Sequence, residues 1–349
     1  MHLLLKSITF MIAGFLTVDA AVAREVIINA VGDILLTGSC ESFLKKNGYD
    51  YPFAATAAEL QRGDITVGNL EAPLSRGGCE FKGKRFRFRG DPRIAPALKK
   101  AGFRVVTLAN NHLMDYGESA MEETVEHLRR EGIAYAGAGK TLAEARKGAV
   151  INANGVRVAF LAYSFTFPPE FYATADRAGT APGFARIFSE DIATARRNAD
   201  YVAVSFHWGR EWETAPLPYQ ITAAHGAIDA GADLVIGHHP HVLQGVERYK
   251  RGVIFYSLGN FAFSSYSRKA MRSVIARVTM DNGVKEVELI PLNVCNREVR
   301  FQPKPLSGKE KEEVIGYLSV LSKRWGTSIT ATNGRFLVGE KVVGNLAKR

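Results

Sequence analysis

Residues 231–244 read GADLVIGHHPHVLQ. Leu234–Ile236 is a short apolar run of the kind that forms a fully buried strand. It breaks at once into Gly237–His241, a tight turn that carries three histidines. The same sequence of events recurs along the chain. Val26–Val31 runs into Gly32-Asp33, Ile65–Gly68 into Asn69-Leu70-Glu71, Arg104–Leu108 into Asn110-Asn111-His112, and Tyr201–Phe206 into His207-Trp208-Gly209. Arg157–Tyr163 and Val253–Tyr256 predict two further strands, and helical patterns fill the intervals at Ala54–Gln61, Pro92–Ala101, Ser119–Glu131, Ser189–Asn198 and Pro218–Ala230. Alternation of this kind predicts an α/β fold, in which sites are built at the carboxyl ends of the strands. Five polar clusters at five strand ends therefore predict one convergent site.

Later strands behave differently. Ser273–Met280 and Val284–Pro291 flank Asp281-Asn282-Gly283, a strong hairpin signal, so the sheets are expected to be mixed rather than purely parallel. Beyond about Arg300 the chain turns charged (Lys304–Glu313) and then amphipathic (Val314–Lys323), which predicts a peripheral helix with a small β extension. No repeat or long linker interrupts the pattern. The expected organisation is one domain over 24–300 and a C-terminal extension over 301–349.

The 349 residues are 46% hydrophobic and 23% charged, enough for a sizeable core, which excludes disordered and fibrous classes. A net charge of +10 favours polyanionic partners or substrates without choosing among them. Residues 1–23 read as a signal peptide: a weakly basic start, the apolar run Ile8–Val18, and Ala21-Val22-Ala23 as the cleavage signature. At about 20 residues per span that run is short for a membrane helix. The expectation is an exported, periplasmic or extracytoplasmic protein, membrane-anchored if the segment is not cleaved. In an oxidising compartment Cys40 and Cys79 could pair, leaving Cys295 over.

Taken singly, most of the polar residues have ordinary explanations. Gly32-Asp33 can simply turn the chain, Glu71 can cap or pair, Asn110-Asn111-His112 can be a plain turn, and a lone His207 can be structural. Three histidines within five residues weigh more heavily. Two imidazoles at i and i+2 on a rigid turn can both face metal ions, which makes His239 and His241 ligand candidates and leaves His238 facing away or bonding to the ligands themselves. Together, the carboxylates, Asn and imidazoles make a mixed oxygen and nitrogen set suited to Mn, Fe or Zn, in a site able to activate water and hold an anionic oxygen.

In the segment KGKRFRFRGDPR (82–93), Arg85, Arg87 and Arg89 alternate with Phe86 and Phe88. As a strand this puts the arginines on one face, either as a solvated edge or as an anion-binding surface. Nucleic acid is not expected as a partner, since no helix-turn-helix or zinc-finger pattern accompanies the segment. The chain has no Walker-type loop and no G-x-S-x-G elbow, so neither a bound nucleotide nor a serine hydrolase is expected.

Seven motifs, in order, resemble the CapA/PgsA family of poly-γ-glutamate capsule synthesis and export proteins. They are Val31-Gly32-Asp33, GNLEAP (68–73), Phe88–Pro92, LANNHLMDYG (108–117), HWGREW (207–212), residues 231–244 and YSLGNFAF (256–263). That family is similar to calcineurin-like metallophosphoesterases, which implies a two-sheet sandwich of mixed sheets flanked by helices. The resemblance implies a metal set of Asp33, Glu71 as bridge, Asn111, His207, His239 and His241. It implies His112 as the proton donor to the leaving group, oriented by Asp115, with Arg89, Glu211 and Asn260 contacting substrate. Active phosphoesterases begin with Asp-x-His, whereas this chain has Asp33-Ile34-Leu35, and the acidic residue after Asn111-His112 comes late, as Asp115. One or two divalent ions are expected, one firmly held and one weakly. The functional expectation is an exported protein of anionic-polymer synthesis, export or attachment, working with membrane-bound capsule-synthesis partners. The rivals are a general periplasmic phosphoesterase acting on a phosphate-containing substrate and a non-enzymatic polymer-binding accessory protein.

Overall fold

The computed structural model describes residues 25–340, so the expected signal segment lies outside the described residues. Two mixed β-sheets pack face to face. The first has ten strands, in the order Thr327–Thr332, Arg335–Glu340, Val284–Asn293, Arg272–Met280, Val26–Leu35, Ile65–Leu70, Phe103–Thr107 and Ala134–Ala136. Asn260–Phe263 and Lys304–Pro305 pair alongside this path. The second has six: Val246–Tyr249, Gly252–Phe255, Leu234–His238, Tyr201–His207, Val156–Ser164 and Ala149–Ala153. In each sheet a block of parallel strands ends on the same side, and antiparallel strands complete the sheet.

Three apolar layers hold this together. Ile28, Ala30, Val67 and Val105 of the first sheet meet Phe160, Ala203, Ile236 and Phe255 of the second in the inter-sheet core. The outer face of the first sheet (Val31, Phe103, Val106) is covered by Ile94–Ala101 and Gly117–Arg130 through Leu98, Met121 and Leu128. The outer face of the second (Val202, Val204, Val235) is covered by Ala185–Asn198 and Pro218–Ala230 through Phe188, Ile192 and Ala224. The expected sandwich flanked by helices is the fold observed. It also explains why the central strands read as unbroken apolar runs, since both faces of each strand are buried.

Several elements differ in extent from their sequence signal. The helix expected over 54–61 shrinks to Ala57–Leu60 behind a 3₁₀ turn at Tyr51–Phe53, because buried Thr56 bonds back to the Phe53 carbonyl through both its N–H and its hydroxyl. The arginine-rich strand is absent. Residues 81–89 form an irregular loop, and the Phe88 N–H that a ladder would use is donated to Asp115 Oδ2 at 2.8 Å. The C-terminal residues form the helix Gly308–Ser322 and a hairpin that joins the first sheet beside Val284–Asn293. All three cysteines are free thiols, Cys40 and Cys295 buried and Cys79 exposed.

The first strand carries a feature that places the site. Between Ala30 and Asp33 its pairing with Ile65–Leu70 slips, three residues on one side opposing two on the other, which is a β-bulge. Val26, Ile28 and Ala30 face the inter-sheet core, and after the bulge the odd-numbered Asp33 takes that side. Gly32 makes the bulge possible, since a Cβ there would lie 1.9 Å from the Gly259 carbonyl oxygen. Gly237 in the second sheet is confined in the same way, since a Cβ there would lie 1.9 Å from the Tyr256 carbonyl oxygen. Gly32→Ala and Gly237→Ala are each expected to destabilise the protein by about 2–3 kcal/mol, as overpacking against backbone does. Urea unfolding checks this, and midpoints equal to wild type would contradict the close-approach argument.

Candidate metal centre

The site forms where the inter-sheet faces of both sheets reach their carboxyl ends. Asn69, His207 and His238 continue the inward-facing registers of Ile65 and Val67, of Tyr201 and Ala203, and of Leu234 and Ile236. Asp33 joins them through the bulge. Glu71 and His241 follow in the adjoining loops. The side chains meet in a buried cluster.

Asp33 is completely buried. It accepts hydrogen bonds from Asn69 Nδ2 (2.9 Å) and the His239 backbone N–H (3.1 Å). His238 Nδ1 is 2.9 Å from Asp33 Oδ1 without the alignment of a hydrogen bond, and His241 Nδ1 is 3.3 Å from Oδ2. Burial works to raise the Asp33 carboxyl, but the imidazoles of His238 and His241 overcome it and hold the group well below the usual range. Glu71 goes the other way. Burial, reinforced by the Asp33 charge, pushes it well above the usual range. His241 Nε2 is 3.6 Å from Glu71 Oε1. Despite burial, the Glu71 and Asp33 carboxylates drive the His241 imidazole up to about 9. Burial and then the charge of His241 push His239 down to about 3, so its ring is neutral.

The turn itself is strained. His239 and His241, on either side of Pro240, take φ values of 93° and 58°, a region non-glycine residues rarely occupy. His241 is tied down by donating Nδ1–H to Asn260 Oδ1 at 2.9 Å. The Trp212 N–H donates to the Pro240 carbonyl, also at 2.9 Å. His207 donates Nε2–H to Asn111 Oδ1 at 2.9 Å. Glu211 is exposed, but its charge reaches Glu71 and His241.

These residues fit a divalent cation. Two trios, Glu71-His207-His239 and Asp33-Glu71-His241, each bring their ligand atoms within 4.8 Å of one another, and Glu71 belongs to both. His239 Nδ1 is buried with no hydrogen-bond partner, on a ring that burial keeps neutral. Two carboxylates forced together out of water lack the positive charge that would let both ionise. Asp33, Glu71, His207, His239 and His241 thus converge as the sequence predicted, with Asn111 against His207.

Beside this cluster stands a second group. His112 donates Nδ1–H to Asp115 Oδ2 at 2.6 Å, which leaves Nε2 for chemistry. Asp115 is buried, and its Oδ1 accepts from Lys84 Nζ at 2.5 Å. Lys84 also donates to the Asn111 carbonyl. The Phe88 ring lies 4.6 Å from the His112 ring. Residues 84–88 therefore strap the His112–Asp115 pair in place instead of presenting an arginine face. Arg89 is turned to other contacts: its guanidinium stacks 4.4 Å over Tyr116 and donates to the Gly77 carbonyl, and none of these contacts is with the cluster. Asn260 acts on His241. Asn69 and Asn110 stand in polar clusters that the sequence marked without giving either a role, and Lys84 was read only as part of the basic segment 82–93. Asn110 accepts the His112 and Leu113 N–H groups and donates to Asn69 Oδ1. Lys84 is one basic residue in a basic run, and nothing in its neighbours marks it as the buried one.

Two kinds of comparison with known proteins agree. Residues 27–265 match the family described as Bacterial capsule synthesis protein PGA_cap. The chain belongs to that family. Its relatives include the capsule biosynthesis protein CapA of Bacillus anthracis, 34% identical over 298 residues, covering 83% of this chain and 72% of the relative. The PGA biosynthesis protein CapA of Bacillus subtilis is 33% identical, covering 76% and 70%. Among solved structures, the Haemophilus influenzae NAD nucleotidase superposes with a TM-score of 0.45 at 12% identity, covering 85% of this chain and 56% of that one. The PGA_cap match spans every site residue named above, from Asp33 to Asn260.

Two outcomes are expected. Elemental analysis of protein dialysed against Mn or Zn should find about one or more equivalents bound, lost in His239→Ala/His241→Ala, as ligand removal requires. Asp115→Ala should cost about 3 kcal/mol in urea unfolding, because it leaves Lys84 buried without its counter-charge.

Proposed function

We propose that this PGA_cap protein is exported and acts in the synthesis, export or attachment of an anionic capsule polymer, of which poly-γ-glutamate is the best supported. We propose further that its cleft performs metal-assisted hydrolysis or transfer on that polymer or on a phosphate-containing precursor. The observation that carries the reading is the His112–Asp115 pair, 2.6 Å apart, standing beside two ligand trios that share Glu71. The relatives' names supply the capsule context. The signal-like residues 1–23 supply the export, and the family's setting supplies membrane-bound synthesis partners.

A bound ion supplies positive charge and Lewis acidity where negative charge develops on the substrate. The chain's own residues do the rest. Glu71, Asp33 and the imidazoles hold that charge in a dry, preorganised site. Asp115 holds the Nδ1–H of His112 and orients the ring, so that the imidazolium form presents its second proton on Nε2 to the leaving oxygen or nitrogen. Lys84 holds the Asp115 carboxylate in place through its 2.5 Å contact. Burial draws the His112 pKa down, against the pull of Asp115, which makes its proton easier to give up.

A second reading keeps the cleft as a polymer-binding site without turnover. Leu35, almost fully buried where the phosphoesterase pattern has a ligating His, favours it. Wild type loaded with Mn or Zn, incubated with γ-glutamyl oligomers and with a chromogenic phosphodiester, separates the two. Under the enzymatic reading His112→Ala lowers kcat by about 10²–10⁴-fold with little change in KM. Binding with no turnover of either substrate under any loading would leave the accessory reading standing.

A further inference from the structure

The sequence offered Arg89 as the substrate's anchor, and the structure turns that residue away. A different part of the molecule is built for the task. Next to the metal-ligand cluster lies an open cleft of about 800 Å³. Asn111 and His239 line one part of it, and Phe165, Phe167, Tyr219 and Arg210 line the rest.

The aromatic wall is rooted in the core. The Phe165 ring packs edge-on against buried Phe206 at 5.5 Å and lies 5.7 Å from Tyr219. Tyr219 accepts the Gly209 N–H on its hydroxyl at 2.6 Å, which fixes the turn that carries Arg210. That turn needs its glycine: Gly209 has φ 86°, and a Cβ there would meet the Gln220 side chain at 2.9 Å. Phe167 is 75% exposed at the lip, and Tyr219 is 39% exposed. Arg210 is exposed and forms no ion pair among the described residues.

The charge pattern sets the ligand class. Arg210 is the cation of this cleft, while Glu211 and Glu213, one and three residues further on, are exposed. A single negative charge would be gripped by the guanidinium, which suits both carboxylate and phosphate. The apolar part of the same ligand would cover Phe167 and Tyr219 and remove them from water.

We propose that Arg210 with the Phe165–Phe167–Tyr219 wall forms the substrate subsite of this cleft, selecting an anion carried on an apolar chain, with one charge on Arg210 and the carbon chain along the aromatics. The subsite rests on the reading of the neighbouring cluster as a reaction centre, but its recognition chemistry is independent of turnover. A γ-glutamyl chain end, with its carboxylate on a methylene stem, and an alkyl phosphate share this chemistry.

Titration calorimetry on the full chain tests it with three probes: tri-γ-glutamate, hexyl phosphate and inorganic phosphate. Wild type is expected to bind at least one of the first two about tenfold or more tighter than inorganic phosphate, and Arg210→Gln to weaken that binding by about tenfold. Phe167→Ser, at an exposed position that leaves the fold intact, is expected to weaken the same probe by about threefold or more and to leave inorganic phosphate unchanged. Preference for tri-γ-glutamate would assign a carboxylate ligand, and preference for hexyl phosphate a phosphate one. Absence of binding by wild type at millimolar probe, or binding within about twofold of wild type in both variants, overturns the subsite. Binding that persists in His239→Ala but falls in Arg210→Gln supports the subsite even where no hydrolysis is detected, so its fate is read separately from that of the hydrolase reading.

Discussion

Asp33 is a carboxylate held ionised with no access to water, and the architecture around it follows from that cost. A buried anion is tolerable only if positive or hydrogen-bonding groups surround it. Here Asn69, the His239 backbone N–H, His238 and His241 supply them. Asn69 comes from the first sheet and the three histidines from a single turn of the second, so the sandwich must bring both sheets into register before all of them can reach Asp33. The β-bulge at Gly32 and the close approach at Gly237 are the backbone devices that make this convergence possible. A site with this much buried charge is also one in which a divalent ion would do more than a proton can, by allowing Glu71 to ionise alongside Asp33.

The two halves of the site are stabilised by different means. The ligand cluster relies on strained backbone at His239 and His241, held over-determined by Pro240, Asn260 and Trp212. The His112–Asp115 pair relies on a strap, in which Lys84, the Phe88 N–H and the Phe88 ring enclose it from one side. A strap of this kind keeps the proton donor dry while leaving the far nitrogen of His112 for the cleft. It also accounts for a basic, aromatic segment that forms no strand. Its donors are spent on Asp115 and on backbone carbonyls instead of on a neighbouring strand, and the C-terminal helix and hairpin extend the first sheet well away from this strap.

What the sequence determined by itself was everything that follows from local order. Apolar runs closed by polar clusters mark the parallel strands and the end of the sheet where function gathers, because strand direction and burial are written in short-range pattern. Asp281-Asn282-Gly283 marks its hairpin in the same way, and His239 and His241 stand out as ligand candidates by residue type, while the rest of the metal set came from the family resemblance. Tertiary structure decided which residues of a like-looking set do the work. Lys84 and Arg89 belong to one basic run, yet one is drawn in by Asp115, 31 residues away in sequence but adjacent in space, and the other is stacked on Tyr116. Asn260, which the resemblance gave to substrate, holds His241, and Arg210 lies within HWGREW (207–212) without any role assigned to it from sequence. Such assignments depend on which long-range neighbour desolvates or pairs with a side chain, and that is fixed only when the two sheets close on each other.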